Sequence, residues 1–129
     1  MSLPPLESYD VDQLGMSRAE RFSYSELLEQ EDEVIHRLLG HPTPVQGDMQ
    51  LECQLVTNGL YCGDSSGYQD PRVNDLRAGA SDWRLLLQID SDEKAGMMWG
   101  NVGRLYYWIK EADLAARDWD LSWLILQCG

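Results

Sequence analysis

The sequence predicts an α+β fold: a mainly antiparallel β-sheet with one long N-terminal helix and short connecting helices. Three observations carry this reading. Apolar residues alternate with polar ones at Met49, Leu51, Cys53 and Leu55, and Trp83, Leu85, Leu87 and Ile89 recur at the same period of two. Residues 104–110 are apolar or aromatic on both faces, as a central strand requires. Ahead of these, Leu27, Leu28, Val34, Ile35, Leu38 and Leu39 form a stripe at helical spacing.

Each element follows in chain order. Residues 1–16 hold two prolines and no clear period, so they read as an N-terminal arm. Residues 17–129 then form a single domain, the usual outcome for a chain of 129 residues. Ser17-x-x-Glu20 and Ser23-x-x-Glu26 are capping boxes, so the long helix starts near one of them. Glu29, Glu31, Asp32 and Glu33 lie mostly off the apolar stripe, on the wet face. Gly40 supplies a left-handed position after the helix, and Pro42 forbids continuation.

The alternation at 49–55 predicts a half-buried strand, and Asn58-Gly59 a two-residue hairpin turn that pairs Leu55 with Cys62. Asp70-Pro71 reads as a helix cap with proline at the first helical position, and Gly79 as the end of that short helix. A strand follows at Trp83–Ile89, then a loop holding Gly96, Gly100 and Gly103. On the strand Arg104–Lys110, placing Tyr107 toward the core with Leu105 and Ile109 turns Tyr106 and Trp108 to the other face. Residues 111–117 suit a helical turn or two, and Trp123–Gln127 is the last strand.

Charge excludes several partner classes. The chain carries 22 acidic and 10 basic side chains, a formal net charge of -12. A nucleic-acid backbone needs clustered Lys and Arg, so nucleic acid is excluded, and an anionic membrane surface is disfavoured for the same reason. No apolar run has the length of a membrane helix, and the start, Met-Ser-Leu-Pro-Pro, has no signal-peptide pattern. Three cysteines, an odd number, argue against a disulfide framework. These features place the domain in the cytoplasm.

The chemical motifs are sparse. An EF-hand beginning at Asp90 would place Lys94, Ala95 and Asn101 where an oxygen ligand, Gly and Glu belong, so it fails. No C-x-x-C pair supports zinc, and His36, four residues after Asp32, suits a surface helix pair. The cysteines, Cys53 above all, read as small core hydrophobes. Nucleophile-elbow, zinc-protease and phosphate-loop signatures are missing from the sequence, and no cofactor is implied.

The aromatic residues are more informative. Trp83, Trp99, Trp108, Trp119 and Trp123 fall within 41 residues, together with Tyr106 and Tyr107. Core packing explains most of them. Trp99 is the exception, because it sits in a Gly-flanked loop. The candidate binding residues are therefore Asp90, Asp92, Trp99, Asn101, Arg104, Tyr106 and Trp108, centred on the loop from Asp90 to Arg104.

From Leu38 to Gln127 the chain resembles the YwqG-like family of uncharacterised bacterial proteins. The matching phrases are Leu39-Gly40-His41-Pro42, Gln46-Gly47-Asp48, and Trp83-x-Leu-Leu-Leu-Gln-Ile-Asp90. They continue with Met98-Trp99-Gly100-Asn101-x-Gly103-x-Leu105-Tyr106-Tyr107, then Asp113-Leu114 and the closing Trp123 to Gln127. Family members carry Asp where this chain has Asn101. Longer members repeat the theme that this chain holds once, which implies a C-terminal half or a short form. The resemblance implies a fold rather than an activity.

Two function classes follow. The first is a non-enzymatic binding or protein-interaction domain, with a homodimer or a basic protein as partner, an immunity-like protein included. Its acidic surface suits electrostatic steering toward a basic surface. The second is a small-molecule or carbohydrate binder, or a weak hydrolase, using Trp99, Tyr106 and Trp108 as a stacking platform beside Asp90 and Asp92.

Overall fold

A computed structural model describes residues 14–21 and 34–129. Its centre is a four-stranded antiparallel sheet in the order β1-β2-β3-β4. The strands are β1 (Arg37–Leu38), β2 (Trp83–Asp90), β3 (Arg104–Lys110) and β4 (Trp123–Gln127). Between β1 and β2 lie the helices α1 (Gln50–Val56), α2 (Ser66–Gln69) and α3 (Val73–Leu76), the last continued by a 3-10 segment, Arg77–Asp82. Helix α4 (Glu111–Ala116) joins β3 to β4. The fold is thus α+β with a meandering antiparallel sheet, and β2, β3, β4 and α4 lie where their patterns predict.

The predicted long helix is corrected at its C-terminal end. Ser17 and Glu20 do form a capping box: Ser17 N donates to Glu20 Oε2 at 2.7 Å and Glu20 N donates to Ser17 Oγ at 3.3 Å. The second box and Leu27, Leu28 and Asp32 lie outside the described residues. Ile35 to Leu39, however, are not helical. Arg37 and Leu38 pair with Gln88 and Leu87 as strand β1. Leu39 then takes φ 60° and Gly40 φ 83°. The backbone of this stretch bonds to the sheet rather than to itself, and its tertiary partners override the stripe.

The predicted strand at 49–55 is also corrected: it is helix α1. The glutamines of the apparent alternation are not on a wet face. Met49, Gln50, Cys53 and Gln54 are all buried, at spacings of one, three and four that fit one helix face. Gln50 Nε2 donates to Trp83 O at 3.0 Å, and Trp83 Nε1 donates to Gln54 Oε1 at 3.1 Å. Buried amides with partners fill core positions as apolar residues do.

Asn58-Gly59 ends this helix instead of turning a hairpin. Gly59 N donates to Val56 O at 3.2 Å and Leu60 N to Leu55 O at 3.0 Å, with Gly59 at φ 87°. That is the Schellman pattern, with its usual contact between Leu60 and Leu55. Gly79 is corrected as well, since helical turns run past it to Asp82. What the position requires is space: a Cβ there would lie 2.3 Å from Gln54 Nε2.

Strand β2 changes parity midway. Its register against β3 shifts between Leu85 and Leu87. A bulge of this kind moves the following residues to the opposite face. Trp83 and Leu85 therefore share a face with Gln88 and Asp90, and not with Leu87 and Ile89. Tyr106 and Trp108 of β3 lie on that same face and are 0% and 2% exposed. The expected orientation of β3 is thus reversed: Tyr106 and Trp108 point into the core, and Leu105 and Tyr107 away from it.

One sheet face consequently has two halves. The apolar half joins Trp83, Leu85, Trp108 and Ile125 to Met49 and Cys53. The polar half carries Gln88, Asp90, Arg104, Tyr106 and Gln127. A satellite cluster of Leu55, Leu60 and Val73 packs behind α1.

Two outcomes test this packing. Gly79→Ala forces the Gln54 amide off the Trp83 indole, and we expect a loss of about 1–3 kcal/mol in urea unfolding. Glu52 on α1 supplies a pH test. Burial, and then the Asp48 charge, push its carboxyl above the usual glutamate range. Its contribution to stability is complete below the unfolded pKa and is lost as pH rises through the raised folded value. Glu52→Gln should therefore raise the urea midpoint at pH 7, and the two proteins should converge below pH ~4.

Candidate functional site

The polar half of the sheet face holds down residues 34–47, an irregular segment whose backbone needs partners. Gln88 spans it first: Gln88 Nε2 donates to Ile35 O at 2.8 Å, and Thr43 N donates to Gln88 Oε1 at 2.8 Å. Gln127 spans it further along, where Val45 N and Gln46 N donate to Oε1 at 3.0 and 2.9 Å and Nε2 donates to Gly47 O at 3.1 Å. Tyr106 Oη donates to Thr43 O at 2.7 Å. Burial, the larger influence, raises the Tyr106 hydroxyl to about 12 against the opposing effect of Arg104. The hydroxyl therefore stays protonated as a donor throughout the physiological range.

Asp90 ends this row at the candidate site. It faces Arg104 across the β2–β3 ladder, with Arg104 Nε 3.0 Å from Asp90 Oδ2 and both side chains largely buried. Ile35 N donates to Oδ2 at 2.9 Å and Ser91 N to Oδ1 at 2.8 Å. Arg104 in turn donates through an Nη to Thr43 O at 2.9 Å. Both oxygens of Asp90 are engaged, and its charge is compensated by Arg104. Its role is to anchor the strand end and the 34–47 segment together.

The following loop is closed on itself. Ser91 Oγ donates to Gly103 O at 2.7 Å and accepts from Trp99 N at 3.1 Å. Trp99 Nε1 donates to Asp90 O at 3.2 Å, so the indole is half-buried beneath the loop. Asp92 and Met97 exchange both backbone bonds at 2.9 Å. Asp92 Oδ1 also accepts from Lys94 N at 3.0 Å, capping the 3-10 turn Glu93–Ala95.

The sequence-predicted residues therefore separate. Asp90, Asp92 and Arg104 line one cavity of about 690 Å³. Trp99 supports its wall from inside the loop. Asn101 lies apart, exposed, with Nδ2 donating to Gly129 O at 3.0 Å. Tyr106 and Trp108 are core residues, and neither ring keeps surface on which a ligand could stack.

Sequence reading missed other residues of this site. The cavity wall also includes Glu93, Lys94, Val45, Met98 and Val102. His36 is not helical. Its Nδ1 accepts from Asp90 N at 3.1 Å, which leaves Nε2 as the protonated nitrogen, 3.7 Å from Asp92 Oδ2. The Pro42-Thr43-Pro44 run after His41 was the available signal that this stretch is irregular and needs side-chain partners.

Among the described residues no group of three or more His, Cys, Asp and Glu could hold a metal ion. No helix among them is long and apolar enough to cross a membrane.

With this geometry in place, the chain can be set beside known proteins. Residues 4–128 match the family described as "Domain of unknown function (DUF1963)". The chain belongs to this family. No curated protein matches it. Membership in DUF1963 fits a chain whose described residues form one sheet with its covering helices, and it assigns no chemistry to the cavity.

The clamp can be tested directly. Gln127→Leu leaves the amides of Val45 and Gln46 without their acceptor. We expect a loss of about 1–3 kcal/mol in chemical unfolding. Tyr61→Ala, at a site 67% exposed and away from the row, should cost distinctly less.

Proposed function

We propose that this DUF1963 domain is a non-enzymatic protein-interaction module that receives a basic segment of a partner protein at the Asp92–Glu93 mouth of the cavity. The observation that carries this reading is the composition of that mouth. Asp90 is already balanced by Arg104. Asp92 and Glu93 stand further out on a loop braced by Ser91 and Trp99, outnumber Lys94 beside them, and share the cavity lining with the apolar side chains of Val45, Met98 and Val102. Such a site suits a Lys or Arg side chain, whose apolar stem lies along the wall while its charge meets the carboxylates. A net charge of -12 adds long-range steering toward a basic surface. An immunity-like role, in which the module blocks a basic protein, is one form of this reading. The phrases shared with YwqG-like bacterial proteins support a cytoplasmic bacterial setting.

The test uses affinity capture by the wild-type chain and by Asp92→Asn/Glu93→Gln. Rim ion pairs of this kind together supply up to about 1.4 kcal/mol, or roughly tenfold in affinity. We expect proteins of high isoelectric point to bind the wild type at low salt, to bind the double variant roughly tenfold more weakly, and to elute as salt rises. Partners that bind both proteins equally, or a complex insensitive to salt, would overturn the reading.

A further inference from the structure

We propose that strand β4 is a self-complementary edge through which two copies of this chain join into one continuous sheet. Among the described residues, β4 is the last strand of the sheet and pairs with β3 alone. Among the described residues, no backbone or side-chain group bonds to its outer edge. Sheet edges in monomers are usually guarded by Lys, Pro, a bulge or a covering segment. Residues 121–128, Leu-Ser-Trp-Leu-Ile-Leu-Gln-Cys, contain no charge and no proline. Trp123, Leu124 and Leu126 are 39%, 46% and 48% exposed. β1, the opposite edge, is only two residues long and offers no comparable template.

The residues of β4 match a second copy of themselves. In an antiparallel pairing centred on Ile125, Leu124 of one chain faces Leu126 of the other, and Trp123 faces Gln127. The period of two keeps every pair on a common face. All four leucines then form one row on the sheet face remote from the Trp83–Trp108 core. Cross-strand apolar pairs of this kind are a main stabilising unit of a sheet. The arrangement is isologous, as a two-fold dimer requires. It also sends Asp118 and Asp120, which precede β4 and are exposed, to opposite ends of the joint. An acidic or basic strand would find no counter-charge along this edge, whereas a second copy matches it residue by residue.

This edge lies on a different part of the chain from the Asp92–Glu93 mouth, and the two respond oppositely to salt. Two chains of charge -12 repel, so screening strengthens their association, while the same screening weakens a complex with a basic partner.

Sedimentation equilibrium of the full chain tests the proposal. The weight-average mass should rise from 14.7 kDa toward twice that value across the micromolar range, and more readily at higher salt. Leu124→Lys/Leu126→Lys sets lysines against each other across the joint and should hold the mass at 14.7 kDa with an unchanged far-UV spectrum. The wild type supplies a readout that needs no variant: exchange of the outward-facing β4 amides should slow as concentration rises. A wild-type mass fixed at 14.7 kDa, association that survives the double substitution, or β4 exchange independent of concentration would each overturn it.

Discussion

The structure depends on one division of labour across a single sheet face. At the Trp83 end, that face is apolar and meets helix α1, whose backbone groups are satisfied within the helix. At the Asp90 end it is lined with amides, a carboxylate, a guanidinium and a phenol, and it meets the irregular segment 34–47. A segment without regular structure brings unpaired N–H and C=O groups wherever it is buried. Gln88, Gln127, Asp90, Arg104 and Tyr106 supply their partners. Each bond adds only about 1 kcal/mol net, but leaving a buried group unmet costs about 1–3 kcal/mol, so the row holds together as a set.

The candidate site inherits its order from that row. Asp90 receives the amides of Ile35 and Ser91 and faces Arg104. Ser91 then ties Gly103 to Trp99, and Trp99 returns its indole proton to the Asp90 carbonyl. The loop that presents Asp92 and Glu93 is therefore fixed at its base. A loop on a rigid support is where binding residues are usually found. The acidity of the chain gains a location in the same way: the carboxylate nearest the core is paired with Arg104, and Asp92 and Glu93 lie nearer the rim.

Much of the sheet was legible in the sequence. Strands β2, β3 and β4 follow from runs rich in Trp, Tyr, Leu and Ile, and of the two capping boxes in the sequence the Ser17–Glu20 one forms. The nearness of Asp90 and Asp92 to Trp99 in the loop before Arg104 is visible in the sequence as well. The failures have separate causes, and the first is the treatment of Gln as a surface residue. Gln50 and Gln54 made helix α1 look like an alternating strand, yet both are buried and bonded to Trp83. The bulge after Leu85 was illegible because no Gly or Pro marks it. It reversed the parity of Gln88 and Asp90 and so hid their place in the polar row. His36 was misplaced because its partner is the amide of Asp90, 54 residues away.

Native-state hydrogen exchange at the amides of Ile35, Thr43, Val45 and Gln46 reads whether the polar row holds segment 34–47 to the sheet. Each donates to a side chain of the sheet rather than to a regular ladder. If the polar row holds segment 34–47 as part of the core, these amides exchange only with the opening free energy of β2 and β3. Exchange at a much lower free energy, while the β2 and β3 amides stay protected, would contradict the account.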